Sequence, residues 1–375
     1  MKKIQPAKNV EKIKTYVGIK PLGLLAQELN IPQKEIIKLD GNENPYGALP
    51  EAKEALRTLN DIQIYPDPLC SRLVSAIAKK EGMPENCIVV GAGVDELIDL
   101  LIRGFTNAKD RILSLSPTFG MYSYLSQVNG ANYMSIPQKL QISDPYARYC
   151  LDEKAFLQAA SQAKLVFLTR PNNPDGQILP INFVKKLLEL PILVIIDEAY
   201  IEFANQPSLA KYVLSYENLV ILRTFSKAFA LGGLRVGYGL VPPSIKEILI
   251  NIKQPYNVNV AAQEAALRVL FSHSVEKRVF IIKETREWFI QELIKLQQKF
   301  KNFWIHKSQA CYVLLTFQTK DLVNGVYDQL RSKGILVRLY SSSNTDYNLR
   351  ISIGRPEQIE KVVEEIKNIL TGMRE

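Results

Sequence analysis

Three runs of apolar residues constrain this chain most: Leu165 to Thr169, Ile192 to Ile196 and Leu219 to Leu222. Each is short, lacks an alternating polar face and stops at a polar cluster. Strands of this kind are buried on both faces of a parallel sheet. The stretches between them, such as Ile181 to Leu190, have helical spacing. Ile88 to Gly91 and Arg111 to Leu115 read as further strands. Strands alternating with helices predict an α/β fold, a mostly parallel sheet covered by helices on both sides.

Ligands of such sheets bind beyond the carboxyl ends of the strands. At those ends stand Asn173, the cluster Asp197-Glu198-Ala199-Tyr200, and Thr224, Ser226 and Lys227. Singly, each has an ordinary role: a turn residue, a helix cap, a packed ring, a surface charge. On successive strands they form a constellation. Arg235 follows among Gly232, Gly233, Gly237 and Gly239. Hydroxyls with an arginine suit a phosphate. Gly91-Ala92-Gly93-Val94-Asp95-Glu96 reads as strand, turn and helix start, which aims backbone N–H groups at an anion. It is not a full dinucleotide fingerprint, because Glu96 stands where the last glycine belongs. Phe119 is either core packing or a flat wall for a ring.

A lysine amine that attacks carbonyls forms a Schiff base. Pyridoxal phosphate enzymes pair that lysine with an acid on the pyridinium nitrogen. Asp197 suits the acid. Asn173 and Tyr200 suit the ring hydroxyl, and Phe119 suits stacking. The backbone of Gly93, Val94 and Asp95, with Thr224, Ser226 and Arg235, suits the phosphate. Every part of that cofactor then has a partner.

The remainder frames this centre. Residues 1–45 read as an extension with a short helix at Leu22 to Leu29. Asn42-Glu43-Asn44-Pro45-Tyr46-Gly47 and Tyr65-Pro66-Asp67-Pro68 are turn formers. Pro50 to Leu59 and Ser71 to Glu81 are helical. After Pro242 the character changes. Ile245 to Ile252 and Ala261 to Phe271 are helices, and Val275 to Phe300 is a long amphipathic stretch, open to continuity with the helix before it. Strands at Cys311 to Phe317, Ile335 to Arg338 and Leu349 to Ile353 precede a closing helix at Glu357 to Leu370. This predicts a large unit over 46–260 and a smaller α+β unit built from 1–45 with 261–375.

Composition excludes several classes. At roughly 150 residues per domain, 375 residues allow two. The net charge is +9, but the lysines are spread along the chain with no block of five like charges. That favours a solvated surface that helps attract phosphorylated or carboxylate ligands over a nucleic-acid interface. Cys70, Cys87, Cys150 and Cys311 show no CxxC spacing, and only His273 and His306 accompany them, so free thiols and no metal site are expected. No run reaches the ~18 apolar residues of a membrane span, and no apolar run follows the first lysines. A cytoplasmic protein without membrane association is expected. A P-loop ATPase needs Gly-Lys-Ser/Thr, which is missing. A non-enzymatic module on this fold is argued against by the presence of both Lys227 and Asp197.

The chain resembles the fold-type I pyridoxal phosphate aminotransferases, specifically the histidinol-phosphate aminotransferases. The resemblance rests on Asn42 to Gly47, Tyr65-Pro66-Asp67, Gly91 to Glu96, Pro117 to Tyr122, Pro171 to Gly176, Asp197 to Tyr200, Ser226-Lys227 with Arg235, and Leu349 to Gly354. It implies that Lys227 holds the cofactor and moves the substrate proton, with Asp197 and Tyr200 in the same catalytic set. It implies a homodimer with shared sites, in which Tyr65 reaches the neighbouring subunit's cofactor phosphate. Arg350 would hold the carboxylate of glutamate or 2-oxoglutarate. Arg338, Tyr16 and Asn42 would complete the substrate site. Two positions depart from the family: Asp175 replaces the threonine of Asn-Pro-Thr-Gly, and Phe119 replaces a stacking tyrosine. A threonine-phosphate decarboxylase or an aromatic aminotransferase of the same fold is the alternative activity.

Overall fold

The computed structural model describes residues 4–373 except 12, 14, 16, 17, 19 and 341–346. Its largest sheet has seven strands in the order Ile88–Gly91, Gly237–Leu240, Leu219–Thr224, Leu193–Asp197, Leu165–Thr169, Arg111–Ser116, Asn132–Pro137. All neighbours pair in parallel except Gly237–Leu240, which runs antiparallel to both of its own. The three apolar runs form its centre, and every residue of those strands is buried.

Side chains alternate across a strand, and the two faces of these strands fill different cores. Val166, Leu168, Val194, Ile196, Leu219 and Ile221 pack into the larger apolar cluster. Leu165, Phe167, Leu193, Ile195, Val220 and Leu222 pack into a second one, under the helix Val94–Phe105. This is the helix-covered parallel sheet expected from uninterrupted apolar strands.

A second sheet of six strands runs Arg338–Leu339, Asn348–Ser352, Tyr312–Phe317, Phe303–His306, Tyr146–Cys150, Lys139–Ser143. A short parallel pair, Ile37–Lys38 with Ile335–Leu336, ties the N-terminal extension to the C-terminal part. The expected division at 46–260 leaves one feature out. The hairpin Lys139–Cys150 comes from inside that stretch, yet it pairs through Tyr146 and Ala147 with the strand at Ile305 and His306. The structure also decides the continuity of the helices after Asn259, which the sequence leaves open. Val260–Val269 and His273–Phe300 are separate, because the Ser272 hydroxyl accepts from the N–H of Ser274 (3.2 Å) and starts a new helix.

Candidate active site

A cavity of about 250 Å³ opens beyond the carboxyl ends of the central strands. Strand alternation decides what enters it. Thr169, Asp197 and Thr224 continue the face that carries Phe167, Ile195 and Leu222, and all three line the cavity. Lys227, Tyr200, Asn173 and Phe119 complete its walls.

Asp197 is 3% exposed. Its Oδ2 accepts from the hydroxyl of Tyr122 (2.8 Å), and its Oδ1 accepts from the N–H of Ala199 (3.0 Å). Burial pushes its pKa up to about 6, against the lowering effect of those two donors. A cation placed in the cavity against this carboxylate would favour its ionised form. Tyr122 is held in turn by Thr169 Oγ1 (2.9 Å) and stacks on Phe167 at 4.9 Å. Phe119 meets the edge of Tyr122 at 5.6 Å, so wall and acid share one support.

Lys227 reaches the cavity after the last central strand. Its amine donates to the carbonyl of Gly41 (3.3 Å) and lies 5.9 Å from the Tyr200 ring centroid. Burial lowers its pKa, which favours the neutral, nucleophilic amine. Tyr200 accepts from Asn42 Nδ2 (3.0 Å), and Asn42 is itself fixed by Ser352 Oγ (2.9 Å). Asn44 Nδ2 donates to the carbonyls of Lys227 and Ala228 (3.2 Å each). The extension therefore closes one side of the cavity and sets the lysine backbone. On the other side Asn173 Oδ1 accepts from Arg350 Nη1 (2.7 Å). Arg350 also donates to Tyr340 (3.0 Å) and the Asp40 carbonyl (2.9 Å), and its Nε is buried without a partner among the described residues. A buried, unpaired guanidinium N–H is costly unless an acceptor arrives.

The opposite end of the cavity suits an anion. The helix Val94–Phe105 begins here and offers its first N–H groups. Gly93 precedes it at φ +84°, and a Cβ there would stand 2.7 Å from Arg235 Nη2. The positive φ is what calls for glycine, since the Arg235 side chain could move aside. Glu96, which breaks the dinucleotide pattern, braces the turn instead. Its Oε2 accepts from the N–H of Ala92 (2.5 Å) and from Asn257 (2.6 Å). Arg235 pairs with Asp95 (3.0 Å) and approaches Ser226 Oγ (3.5 Å), while Thr224 Oγ1 accepts from the N–H of Ser226 (3.0 Å). A phosphorylated pyridine aldehyde, the group the resemblance implies, fits this set: an amine, a buried acid, an aromatic wall and an anion cradle bound one cavity.

The other face of the same strand ends is also charged. Arg170, Glu198 and Arg223 adjoin Thr169, Asp197 and Thr224 in sequence but point into the opposite layer. Glu198 is fully buried and binds Arg170 (3.4 Å), the N–H of Leu209 (2.8 Å) and the Ser208 hydroxyl. Arg223 reaches Glu202 (2.8 Å) and Glu81 (3.5 Å). The network ties three cavity-bearing strand ends together. Removing one partner of a buried ion pair costs about 3–5 kcal/mol. Glu198→Gln is therefore expected to lower the urea-unfolding midpoint at unchanged slope, by roughly that amount of stability.

Of the residues singled out in the sequence, Val94, Asp95, Phe119, Asn173, Asp197, Tyr200, Thr224, Ser226, Lys227 and Arg235 line the cavity. Gly93, Asn42 and Arg350 stand behind it, each in contact with a lining residue. Arg338 lies directly opposite Arg350 on the paired strand. Tyr65 is not brought in: it is 78% exposed and stacks on Tyr256 at 4.7 Å. Tyr16 lies outside the described residues. The sequence does not single out Tyr122, Thr169 or Glu43, yet Tyr122 holds Asp197 and the other two line the cavity. Among the described residues, no group of three or more His, Cys, Asp or Glu could hold a metal ion, and no helix is long and apolar enough to cross a membrane.

Comparison with known proteins agrees with this geometry. The family model for aminotransferase class I and II matches residues 34–366. Histidinol-phosphate aminotransferase 1, chloroplastic, of Arabidopsis thaliana is 39% identical over 96% of this chain and 84% of its own length. The histidinol-phosphate aminotransferase of Roseiflexus castenholzii is 37% identical, covering 96% of this chain and 97% of its own. The crystal structure of histidinol-phosphate aminotransferase from Sinorhizobium meliloti, in complex with pyridoxal-5'-phosphate, superposes with a TM-score of 0.84 at 22% identity, covering 98% of both chains. With a matched model over most of its length and relatives of this identity, the chain belongs to the class I and II aminotransferases.

Proposed function

We propose that this chain uses pyridoxal 5'-phosphate to transfer the amino group of L-histidinol phosphate to 2-oxoglutarate. The products are 3-(imidazol-4-yl)-2-oxopropyl phosphate and L-glutamate, a step of L-histidine biosynthesis. The observation that carries this reading is the convergence of Lys227, buried Asp197 and the Val94–Arg235 anion cradle on one cavity. The substrate comes from the relatives, whose names state it over nearly the whole chain. When bound, the cofactor supplies an electrophilic aldehyde and an electron sink.

The chain's own residues do the rest. Lys227 supplies the amine that holds the cofactor and carries the proton to and from the substrate carbon, a role its lowered pKa serves. Asp197, positioned by Tyr122, stabilises positive charge on the ring nitrogen. Asn173 and Tyr200 orient the ring oxygen. Thr224, Ser226, Arg235 and the Gly93–Asp95 turn hold the cofactor phosphate. Arg350 binds the carboxylate of glutamate or 2-oxoglutarate, and an Nε without a partner among the described residues supports this. Arg338 and Tyr16 assist with the substrate's charged end. Asn42 fixes Tyr200. The active form is a homodimer in the cytoplasm. The exposed apolar run Ile62, Ile64, Tyr65 and Leu69 supports a partner face that places Tyr65 at the neighbour's site.

Purified, cofactor-loaded protein incubated with L-histidinol phosphate and 2-oxoglutarate is expected to form glutamate in proportion to keto product. Carbon dioxide release from L-threonine phosphate, with no glutamate from histidinol phosphate, would replace this reading with the decarboxylase.

A further inference from the structure

Asp175 is fully buried and does not line the cavity. A bend needs no carboxylate at this position, and burying one is costly. Here three donors meet the charge. Asp175 Oδ1 accepts from Asn172 Nδ2 (2.8 Å) and the N–H of Gln177 (3.3 Å), and Oδ2 accepts from Gln177 Nε2 (2.5 Å). These donors link both sheets. Asn172 Oδ1 accepts from Thr118 (3.0 Å), beside the Phe119 wall, and the Asn172 carbonyl accepts from the Tyr312 hydroxyl (2.7 Å) in the second sheet. Gln177 reaches the Tyr149 carbonyl (3.3 Å) on the hairpin. The bend is seated without slack: Gly176 has φ +73°, and a Cβ there would lie 2.1 Å from Ser308 Oγ.

Asn173 sits inside this bend, next to Asn172, and its Oδ1 accepts from Arg350. Displacing Asn172 therefore displaces Asn173 and the guanidinium it holds. We propose that Asp175 is a positioning residue for the anion-binding arginine: through Asn172 and Asn173 it sets the affinity of the site for the dicarboxylate co-substrate. This rests on the reading of Arg350 as the carboxylate-binding group. Burial pushes the Asp175 pKa up to about 6, so the carboxylate is ionised, and accepts from all three donors, above that pH. Tyr149 and Tyr312 are the titratable groups that face it.

The test uses cofactor-loaded protein and glutarate, a dicarboxylate that cannot react, with binding read by calorimetry. D175N swaps an acceptor for a donor facing Gln177 Nε2. It is expected to weaken glutarate binding at least about tenfold, the scale of one lost charge-assisted hydrogen bond. KM for 2-oxoglutarate should rise in parallel while kcat changes less. If D175N does not fold, Q177A removes one donor from the same carboxylate and is expected to weaken glutarate at least about threefold. A lowered unfolding midpoint with wild-type glutarate affinity, in folded D175N or Q177A, would overturn the proposal. Failure of the aminotransferase reading shows elsewhere: wild type itself would then make no glutamate and bind no glutarate.

Discussion

Lys227→Ala is expected to lower turnover by more than about 10⁴-fold while leaving the protein folded. Two functions are lost together. Proton transfer by a positioned base contributes roughly 10²–10⁴-fold, and covalent attachment of the carbonyl adds to that. Stability has little reason to fall, because among the described residues the amine has one long hydrogen bond, to Gly41 at 3.3 Å, and a pKa lowered by burial. A lysine whose folded pKa is depressed binds protons better when unfolded, so stability falls as pH drops from the unfolded value to the folded one. The cofactor-free variant should therefore unfold in urea at the wild-type midpoint or above it. Lys227→Arg keeps the cation without the nucleophile and should be equally inactive. Hydride trapping followed by peptide mass mapping should find the cofactor on the peptide containing residue 227 in wild type and on no peptide of either variant. Multiple turnover by Lys227→Ala would remove the amine from the reaction.

Much of this centre is legible in the chain, and the reason is physical. Leu165–Thr169, Leu193–Asp197 and Leu219–Thr224 are buried on both faces, so burial leaves an uninterrupted apolar signature. Polar residues directly after such strands have few places to be other than the ligand side of the sheet. Other features lack such a signature. The hairpin strand Lys139–Ser143 is exposed at every position, so no pattern of burial marks it or assigns it to the second sheet. Tyr122 lies in a stretch that carries the resemblance, but its bond to Asp197 depends on how a helix packs, across 75 residues. The Arg350–Asn173 bond spans 177 residues, and nothing local to either residue announces it. Asp175 is visible as a departure from the family, yet only its three donors show why a carboxylate stands there.

Asp197→Asn separates what the buried acid does for chemistry from what it does to stability, and the two effects have opposite signs. The variant keeps an oxygen for the Tyr122 hydroxyl, so cofactor binding should persist. It loses the negative charge that stabilises a protonated ring. Removing one preorganised electrostatic partner costs on the order of 10²–10³-fold in kcat, and a near-normal rate would dismiss Asp197 as the electron-sink partner. Stability of the cofactor-free chain should move the other way. Burial raises the carboxyl from 3.8 to about 6. An acid with a raised folded pKa stabilises fully below its unfolded pKa, and that contribution is lost as pH rises through the folded value. The two-unit gap corresponds to about 3 kcal/mol at pH 8. The hydrogen bond to the Ala199 N–H, which would face the amide nitrogen, is lost and offsets about 1–2 kcal/mol of it. Cofactor-free Asp197→Asn is thus expected to be more stable than wild type by about 1–2 kcal/mol at pH 8, and to show no gain at pH 4. Asp175 titrates over the same range, but it is present in both proteins and cancels in the difference. Equal urea midpoints for the two proteins at pH 8 would mean that the folded chain solvates this carboxylate without the ring. The acid would then be no reservoir of strain for the cofactor to relieve.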